Sequence, residues 1–293
     1  MNKEEIFSII IPTFNRQEIV FNTIQYLSNQ TNSNFEVIII DQTDGFKREL
    51  NDFKSENFNY RYFNINEIGL PNARNYGADK ALGDILIFLD DDSIPDINIV
   101  ENYKKLFQSL GSKVLIGGRV IEKGTDILKE RNNICGGWIT WYGKTLKNFD
   151  TDNSGECEWA LGGNFALSKK LFFQVGGFDT NFIGNALLED GDFGYAVKKS
   201  GGRVYYQPES IIEHIRAPMG GVRLRNPNKN MFYRAHNTVY FFRKYDKHQF
   251  LFFVFIYLYC VALKDYFNKK HRAGAFFWTS VGFYKGFTTN IKK

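Results

Sequence analysis

The sequence predicts an α/β fold: a mostly parallel, Rossmann-like central sheet with flanking helices, followed by a helical, aromatic-rich C-terminal region. Two observations support this prediction. Over residues 1–120, short and almost wholly apolar runs alternate with segments of helical periodicity, as expected for buried parallel strands joined by helices. From Asn228 onward the pattern is helical only. With 293 residues, 43% of them hydrophobic, the chain can bury a large core without disulfides or a structural metal.

The apolar runs are the predicted strands, and helical spacing marks the helices between them. Strands are expected at 7–11, 37–40, 60–63, 85–89 and 114–116, with shorter ones at 204–206 and 211–212. Helices are expected at 19–27, 46–57, 71–81, 95–110, 171–175 and 189–199. We expect a main domain of residues 1–227, made of halves 1–120 and 121–227, and a separate helical region of residues 228–293.

The cysteines, the N-terminus and the length of the apolar runs indicate the cellular compartment of the protein. The three cysteines form no CxxC pattern, which fits a reducing compartment better than a disulfide framework. A Cys135–Cys157 bridge is the alternative. The N-terminus is polar and acidic, so no secretory signal peptide is expected. We count no stretch of the roughly 20 apolar residues that a membrane-spanning helix needs.

The net charge of +5 is unevenly distributed. Residues 216–293 contain 15 Lys and Arg against two acidic residues, a net charge of +13, and the rest of the chain carries −8. Residues 250–263 carry no charge, and cations and a second aromatic run at 275–284 follow. Aromatic helices flanked by cations are typical of a membrane interface. The alternative is a helical hairpin buried against the main domain or a second subunit.

Carboxylates follow two of the predicted strands. Asp41 ends the second strand, and Asp90, Asp91 and Asp92 follow the fourth. Open α/β sheets bind ligands outside the carboxyl ends of their strands. Adjacent aspartates repel one another, and a divalent cation such as Mg²⁺ or Mn²⁺ relieves that repulsion. The alternative is a solvated acidic turn, but the buried strand directly before the three aspartates favours a metal site.

Basic and aromatic side chains accompany these carboxylates. Arg16 follows the first strand and Arg74 lies in the first turns of a helix, where an arginine can clamp a diphosphate. Arg216 belongs to a basic loop with Arg223 and Arg225, which could close over such phosphates. Trp138 and Trp159 could stack on a sugar acceptor, or they could pack in the core as large aromatics usually do. A surface position is the alternative for Arg74 and for the basic loop.

Six motifs, taken in order, resemble the family 2 glycosyltransferases with the GT-A fold over roughly residues 6–245. They are Pro12-Thr13-Phe14-Asn15-Arg16, Asp41-Gln42-Thr43-Asp44-Gly45, Ala73-Arg74-Asn75-Tyr76-Gly77, Phe88-Leu89-Asp90-Asp91-Asp92, Leu161-Gly162-Gly163-Asn164 and Leu188-Glu189-Asp190-Gly191-Asp192-Phe193. Each motif alone is weak, but all six in this order on the expected elements make a specific signal.

The resemblance implies an inverting hexosyl- or deoxyhexosyltransferase that needs Mn²⁺ or Mg²⁺ and uses a nucleotide sugar. Its acceptor would be a glycan or a lipid-linked sugar in surface polysaccharide or glycolipid synthesis. Residues 1–120 would then bind the nucleotide, and residues 121–227 would bind acceptor and metal. The enzyme would be cytoplasmic, at the inner face of the membrane, with peripheral membrane contact and possible oligomers, and would not bind nucleic acid.

The same resemblance implies roles for individual residues. Asp41 would accept the imide N–H of uracil or thymine, which favours UDP or dTDP. Asp92 and His214 would hold the metal, and Asp190 would be the general base. The remaining donor-binding positions are Pro12, Thr13, Phe14, Asn15, Arg16, Asp44, Arg74, Asp90, Asp91, Gly163 and Asn164. The residues expected near the acceptor are Trp138, Trp159, Glu189 and Asp192.

Two other classes remain open on the sequence. A nucleotidyltransferase that makes sugar nucleotides would also use aspartates and Mg²⁺, but the first loop lacks the glycine-rich, Lys/Arg-bearing sequence for a triphosphate. A non-catalytic protein that binds nucleic acid or membrane would account for the basic C-terminal region. No recognised nucleic-acid motif supports the nucleic-acid class.

Overall fold

The computed structural model describes residues 6–45, 47–122, 134–217, 221, 226–267 and 274–291. The strands are β1 (Phe7–Thr13), β2 (Phe35–Asp41), β3 (Asn59–Asn64), β4 (Ile85–Leu89), β5 (Ser93–Pro95), β6 (Val114–Glu122), β7 (Gly136–Ile139), β8 (Thr145–Asn148), β9 (Gly155–Glu156), β10 (Asn164–Ser168) and β11 (Arg203–His214). The helices are α1 (Gln17–Leu27), α2 (Arg48–Asn51), α3 (Leu70–Lys80), α4 (Ile99–Leu110), α5 (Lys169–Gln174), α6 (Glu189–Lys199), α7 (Pro227–Lys244), α8 (Leu251–Phe267) and α9 (Gly274–Thr288).

One mixed sheet runs through the main domain in the order β3-β2-β1-β4-β10-β6-β11-β5, with β9 paired to β11. Strands β3, β2, β1 and β4 are parallel, and every residue of β1, β2 and β4 is buried. Helical cover on both faces explains why these strands are continuous apolar runs rather than alternating ones. The five strands predicted before residue 120 are therefore confirmed, and strands from both predicted halves share the sheet.

Strand β10 is a central element that the sequence analysis missed. It lies antiparallel between β4 and β6, and all five of its residues are buried. Only its first residue, Asn164, belongs to the motif Leu161-Gly162-Gly163-Asn164. Because β10 lies between β4 and β6, it breaks the parallel order of the sheet directly beside β4, the strand that precedes the three aspartates.

Three other predictions need correction. The helix expected at 46–57 is a single turn, Arg48–Asn51, because the Asn, Asp and Ser residues after it favour turns over helix; residue 46 lies outside the described residues. Pro95 ends the edge strand β5 instead of starting a helix, a position where its missing N–H is tolerated. The two short strands at 204–206 and 211–212 form one strand with an irregularity between Tyr206 and Ile211.

The C-terminal helices pack on each other, as the helical periodicity predicts. Small residues of α9 face α7, and an added Cβ at Gly282 would lie 2.3 Å from the carbonyl oxygen of Phe232. At Gly286 it would lie 2.4 Å from the carbonyl oxygen of His236. Glycine therefore permits backbone-to-backbone contact between α7 and α9.

Helix α8 is attached to its neighbours by a narrow face, since only Val254, Leu258 and Ala262 are buried. The continuous segment His248–Phe267 is long and apolar enough, by length and composition, to cross a membrane, and only 17% of its most apolar stretch is buried. The charge-free run 250–263 alone is shorter than this segment, which also includes the charged residues Lys264 and Asp265. The three cysteines are free thiols.

The helical region is joined to the main domain by a buried ionic cluster. Lys244 Nζ lies 2.8 Å from a carboxylate oxygen of Asp179 and 2.8 Å from one of Asp192. The hydroxyl groups of Tyr240 and Tyr245 donate to Asp179 and Asp192, respectively. Because Asp192 belongs to the first turn of α6, the cluster fixes α7 against the helix that begins at the cavity described next.

Candidate active site

A cavity of about 890 Å³ lies at the carboxyl ends of β1 and β4. Its walls come from residues widely separated in the chain, including the turn after β1, the start of α3, strand β8, the start of α6 and the end of β11. Predicted site residues that line it are Pro12, Thr13, Phe14, Arg16, Arg74, Asp90, Asp91, Asp92, Trp159, Gly163, Glu189, Asp190 and His214.

The three aspartates have different surroundings. Asp91 is buried and accepts hydrogen bonds from the Thr13 hydroxyl at 2.8 Å and from Arg16 Nη1 at 2.9 Å. Burial raises the pKa of Asp91 to about 7, against the lowering effect of Arg16. Asp92 is also buried, whereas the side chain of Asp90 is 35% exposed. Asp90 is therefore the member of the triplet that is open to a ligand.

Asp90, Asp92 and His214 form a group that can hold a divalent cation. Their ligand atoms lie within 4.8 Å of one another, and His214 Nε2 is 2.8 Å from Asp92 Oδ1. The antiparallel pairing of β5 with β11 places His214 opposite Ser93, which is why a histidine 122 residues later meets the triplet. Two hard carboxylates and one neutral imidazole suit Mn²⁺ or Mg²⁺.

The hydrogen bonds of Asp92 keep it ionised. Burial raises its pKa, but bonds from His214 and the Ala217 amide, together with the charge of Arg16, bring it down to about 2. The Ala217 N–H donates to Asp92 Oδ2 at 2.8 Å and Arg16 Nη1 lies 3.3 Å from the same oxygen. An ionised carboxylate is the form that binds metal, so these donors prepare Asp92 for that role.

Arg74 is a buried cation that three carboxylates share. Its Nη1 lies 2.5 Å from Glu189 Oε1 and 3.3 Å from Asp190 Oδ1, and its Nη2 lies 3.7 Å from Asp90 Oδ1. The guanidinium also lies over the ring of Phe178. Burial opposes the charge, but these carboxylates raise the pKa of Arg74. Its side chain therefore connects the triplet after β4 to the first turn of α6.

Asp190 faces the cavity in a fixed orientation. Its Oδ2 accepts the Gly162 N–H at 3.0 Å, and its Oδ1 faces Arg74. Burial raises the pKa of Asp190, and the charge of Arg74 works against that rise. Leu188, directly before α6, has a φ of +72°, which is unusual for a bulky residue. This turn directs the first residues of α6 toward the cavity.

Glu189 is buried beside Asp190. Burial raises its pKa to about 8, although Arg74 lowers it. Within the described part of the chain, its Oε2 has no hydrogen-bond partner. Buried polar atoms normally have partners, so this oxygen is an unsatisfied polar atom beside the cavity.

The glycine pair 162–163 explains how these carboxylates fit together. An added Cβ at Gly162 would lie 2.4 Å from Asp190 Oδ1 and 2.4 Å from Arg74 Nη2. An added Cβ at Gly163 would lie 2.3 Å from Asp90 Oδ2. A side chain at either position would displace a charged group of the site. The sequence analysis named Gly163 but did not recognise this reason, which only the packing reveals.

Several predicted site residues do not line the cavity. Asp41 is fully buried and accepts hydrogen bonds from the Gln17 amide, the Tyr62 hydroxyl and the Thr43 N–H, while its neighbour Gln42 lines the wall. Asn164 is buried in the core, where it donates to the carbonyl oxygens of Arg119 on β6 and Ser210 on β11 and accepts from the Tyr103 hydroxyl of α4. The others outside the lining are Asn15, Asp44, Trp138 and Asp192.

Other lining residues were not predicted. Thr145 and Lys147 of β8 line one wall, and they lie in the region where sequence periodicity is weak. Arg216, by contrast, belongs to the predicted basic loop, and it lines the cavity and pairs with Glu122; Arg223 and Arg225 lie outside the described residues. Thr145 and Lys147 lie on one face of β8, but two positions are too few for the sequence alone to identify this wall.

Comparison with known proteins places the site in context. The family model described as "Glycosyl transferase family 2" matches residues 8–172. Chondroitin synthase from Escherichia coli is 30% identical over 277 residues, covering 82% of this chain and 39% of that protein. A GalNAc(5)-diNAcBac-PP-undecaprenol beta-1,3-glucosyltransferase from Campylobacter jejuni is 29% identical over 186 residues, covering 61% of this chain and 56% of that protein. This chain therefore spans about two fifths to just over half of these relatives.

Solved structures share the fold. GalNAc-T7, crystallised with UDP, GalNAc and Mn²⁺, superposes with a TM-score of 0.62 at 18% identity, over 84% of this chain and 51% of that one. TarS from S. aureus gives 0.57 at 13% identity, over 80% of this chain and 39% of that one. These likenesses confirm the predicted GT-A fold, with its mostly parallel central sheet and flanking helices.

Proposed function

Because the chain belongs to glycosyl transferase family 2, we propose that it is a metal-dependent, inverting glycosyltransferase that moves a hexosyl or deoxyhexosyl group from a nucleotide sugar. The observation that carries the proposal is that one cavity contains Asp190 and the group of Asp90, Asp92 and His214. Family membership favours glycosyl transfer over sugar-nucleotide synthesis and over nucleic-acid binding, the two alternatives from the sequence.

The metal group and Asp190 have different tasks in this proposal. A divalent cation bound by Asp92 and His214, with Asp90 beside them, would stabilise the negative charge on the departing diphosphate. Asp190 accepts the proton of the acceptor hydroxyl as that oxygen attacks the anomeric carbon. Its raised pKa makes it a stronger base than an exposed aspartate. One displacement with one base inverts the anomeric configuration.

The donor is proposed to be a UDP- or dTDP-sugar. The turn of residues 12–16 and the wall residue Gln42 lie where the nucleotide of an α/β sheet binds. Asp41, directly before Gln42, is held in place by hydrogen bonds from Tyr62 and Gln17. To donate to Asp41, the imide N–H of a pyrimidine would have to enter this wall beside Gln42. The structural neighbour GalNAc-T7, crystallised with UDP and Mn²⁺, supports this choice.

The acceptor is proposed to be a hydroxyl of a glycan or a lipid-linked sugar. Trp159 and Glu189 line the cavity on the side of Asp190, with Trp138 and Asp192 packed outside the lining. The names of the relatives include a polysaccharide synthase and an enzyme for an undecaprenol-linked substrate. On the same grounds we propose surface polysaccharide or glycolipid synthesis at the cytoplasmic face of the membrane.

The direct test is donor turnover. The purified protein is incubated with UDP-, dTDP- and GDP-sugars, with Mn²⁺ or with EDTA, and release of nucleoside diphosphate is measured. Mn²⁺-dependent hydrolysis of a UDP- or dTDP-sugar is expected, and NMR of a transferred product should show the inverted anomer. Turnover that persists in EDTA would contradict the metal role, and a retained anomeric configuration would contradict the single displacement.

A further inference from the structure

Helix α8 presents an apolar face to solvent. Its buried residues recur every four positions and cover one side. On the other side lie Phe252, Ile256, Leu263 and Phe267, which are 68%, 44%, 45% and 71% exposed. A helix of a soluble protein normally places polar residues on its outer face. The apolar outer face of α8 therefore needs an occupant other than water.

Helix α9 and the β7–β8 turn extend this face. Phe277, Tyr284 and Phe287 of α9 are at least half exposed, and Phe255 of α8 contacts Phe283 of α9 with ring centroids 5.4 Å apart. We call the exposed aromatic and aliphatic side chains of α8 and α9, together with Trp141, the aromatic surface. Monomeric proteins rarely leave a continuous apolar area of this extent in water.

Trp141 connects the aromatic surface to the cavity wall. It is 53% exposed and lies 4.8 Å from the ring of Phe253 and 5.9 Å from that of Phe250. Trp141 belongs to the turn between β7 and β8, and β8 continues from that turn to Thr145 and Lys147 in the wall. The β7–β8 hairpin therefore contributes to the aromatic surface through its turn and to the cavity wall through β8.

Charge around the aromatic surface selects the kind of partner. Lys264 at the end of α8 and Lys285 on α9 are both exposed. Residues 216–293 contain only two acidic residues against 15 basic ones. Aromatic side chains with cations at their margin suit the headgroup region of an anionic bilayer. This positive charge would not attract a protein partner whose surface is neutral or basic.

We propose that the aromatic surface docks flat on an anionic lipid bilayer, with α8 lying in the interface and the β7–β8 turn inserted beside it. The helix lies flat because Val254, Leu258 and Ala262 hold it along its length against its neighbours. Docking in this orientation places the β8 wall of the cavity next to the membrane. A lipid-linked acceptor then reaches Asp190 along β8, a step that rests on the proposed function.

The first test measures binding to vesicles without any donor. The full chain is sedimented with phosphatidylcholine vesicles and with mixed phosphatidylcholine–phosphatidylglycerol vesicles. The docking variant combines Phe252→Gln, Ile256→Gln and Phe267→Gln, three exposed positions whose change leaves the core intact. Wild type should bind the anionic vesicles, less at high salt but measurably. The docking variant should bind about tenfold more weakly or worse.

The matched control changes three equally exposed apolar residues elsewhere: Leu82→Gln, Ile97→Gln and Phe173→Gln, which are 64%, 51% and 50% exposed. This control variant should bind vesicles as wild type does. An equal loss of vesicle binding in the docking and control variants would overturn the assignment of the surface. The same conclusion would follow if the wild-type protein stayed in the supernatant with anionic vesicles.

Two further readouts separate the other occupants. A stable dimer in light scattering that the docking variant dissociates, without vesicle binding, would show that a second copy covers the surface and would overturn the proposal. Protein that resists extraction from vesicles at alkaline pH would show that α8 spans the bilayer, which also overturns flat docking. Quenching of tryptophan fluorescence by brominated lipid should decrease in Trp141→Phe; unchanged quenching would remove the β7–β8 turn from the interface.

The last arm links docking to catalysis. Donor hydrolysis without acceptor should be equal in wild type, docking variant and control variant. Transfer to a vesicle-embedded lipid-linked acceptor should fall about tenfold or more in the docking variant alone, because membrane binding sets its local concentration. Equal transfer by all three would overturn the acceptor path. Vesicle binding without turnover by any of them would contradict the proposed function and leave the docking surface standing.

Discussion

Arg74 joins carboxylates that come from two different parts of the site. It lies between Asp90, which belongs to the candidate metal group, and the pair Glu189 and Asp190 in the first turn of α6. A buried cation shared in this way compensates charges that would otherwise repel each other. Its position therefore fixes the distance between Asp90 and Asp190, and the following predictions concern the residues around it.

Asp190→Asn should separate chemistry from binding. An amide can accept only one of the two hydrogen bonds that Asp190 receives from Gly162 and Arg74, and it cannot take up a proton. We expect kcat to fall by about 10²–10⁴, the usual contribution of a general base, while donor affinity changes only a few-fold. Steady-state kinetics with varied donor measure both, and lost donor affinity at a preserved kcat would make Asp190 a binding residue.

Asp192→Asn provides the matched control for that experiment. Asp192 lies on the same turn of α6 but faces Lys244 and Tyr245 instead of the cavity. Removing its charge should lower the free energy of unfolding by about 1–3 kcal/mol and leave kcat of the folded enzyme close to wild type. Urea denaturation and kinetics on the same preparation distinguish the two variants.

His214→Ala tests the metal group. The change removes one of three candidate ligands and the hydrogen-bond donor that keeps Asp92 ionised. Mn²⁺ affinity, measured by calorimetry in the presence of UDP, should fall by about tenfold or more. Circular dichroism should show an unchanged fold. Wild-type Mn²⁺ affinity in this variant would remove His214 from the site.

Glu189 should make the free energy of unfolding decrease with rising pH. Because burial raises its pKa to about 8, above the unfolded value of about 4.5, the folded state holds the proton more strongly. Glu189 therefore reduces stability progressively as pH rises from about 4.5 to 8. In Glu189→Gln this loss is absent, so its Tm relative to wild type should become more favourable as pH increases over that interval. A pH-independent difference in Tm would contradict the raised pKa.

Residue identities could be predicted from the motifs, but side-chain directions could not. Asp90, Asp190 and His214 line the cavity as expected. Asn164 and Asp192 occupy motif positions yet point into the core or toward α7. These directions depend on partners such as Ser210 and Lys244, which lie tens of residues away in sequence. The sequence pattern around a residue does not identify partners that lie so far away in the chain.

At the scale of elements, the sequence was informative where a strand is buried on both faces. Strands β1, β2 and β4 are long apolar runs and were predicted correctly. Strand β10 has Asn at its start and Ser at its end, so its polar ends masked an apolar centre of three residues. Strands β7 and β8 are half-exposed pairs without a strong alternation, and only their mutual pairing defines them.

The contact between α7 and α9 leads to a prediction about glycine. In Gly286→Ala the new Cβ would lie 2.4 Å from the His236 carbonyl oxygen. A backbone atom of a helix cannot move away from this clash as the end of a flexible side chain could. Overpacking of this kind should cost about 1–3 kcal/mol of unfolding free energy. Thr288→Ala, at an exposed position of the same helix, is the control and should be neutral or slightly stabilising. Equal stability of the two variants would contradict the close packing.

The whole molecule should respond to donor as one unit. Walls of the cavity come from residues between Pro12 and Gly221, so a bound nucleotide connects both predicted halves of the main domain. With Mn²⁺ and UDP or dTDP at 100 times the dissociation constant, stability should increase by about 2.7 kcal/mol. Thermal unfolding should remain a single transition that moves to higher temperature. A larger shift with GDP would contradict the pyrimidine assignment.

The packing of the C-terminal helices also limits how that region can be tested. Arg243 donates to the carbonyl oxygens of Gly286 and Thr289, and α9 covers the buried residues Ala235 and Val239 of α7. Deleting α8 and α9 would therefore expose the core of α7. Substitutions on the aromatic surface change the outer face alone and are the cleaner test of membrane docking.

The central position of β10 has a consequence for synthesis on the ribosome. Strands β4 and β6 are complete once about 122 residues have been made, but each keeps an open edge until residues 164–168 arrive between them. A nascent chain is therefore exposed to mispairing during this interval. The same insertion delivers Gly162 and Gly163, against which Asp190 and Asp90 are placed. Insertion of β10 therefore joins β4 to β6 and places both glycines before Asp190, the base proposed for the site, has been synthesised.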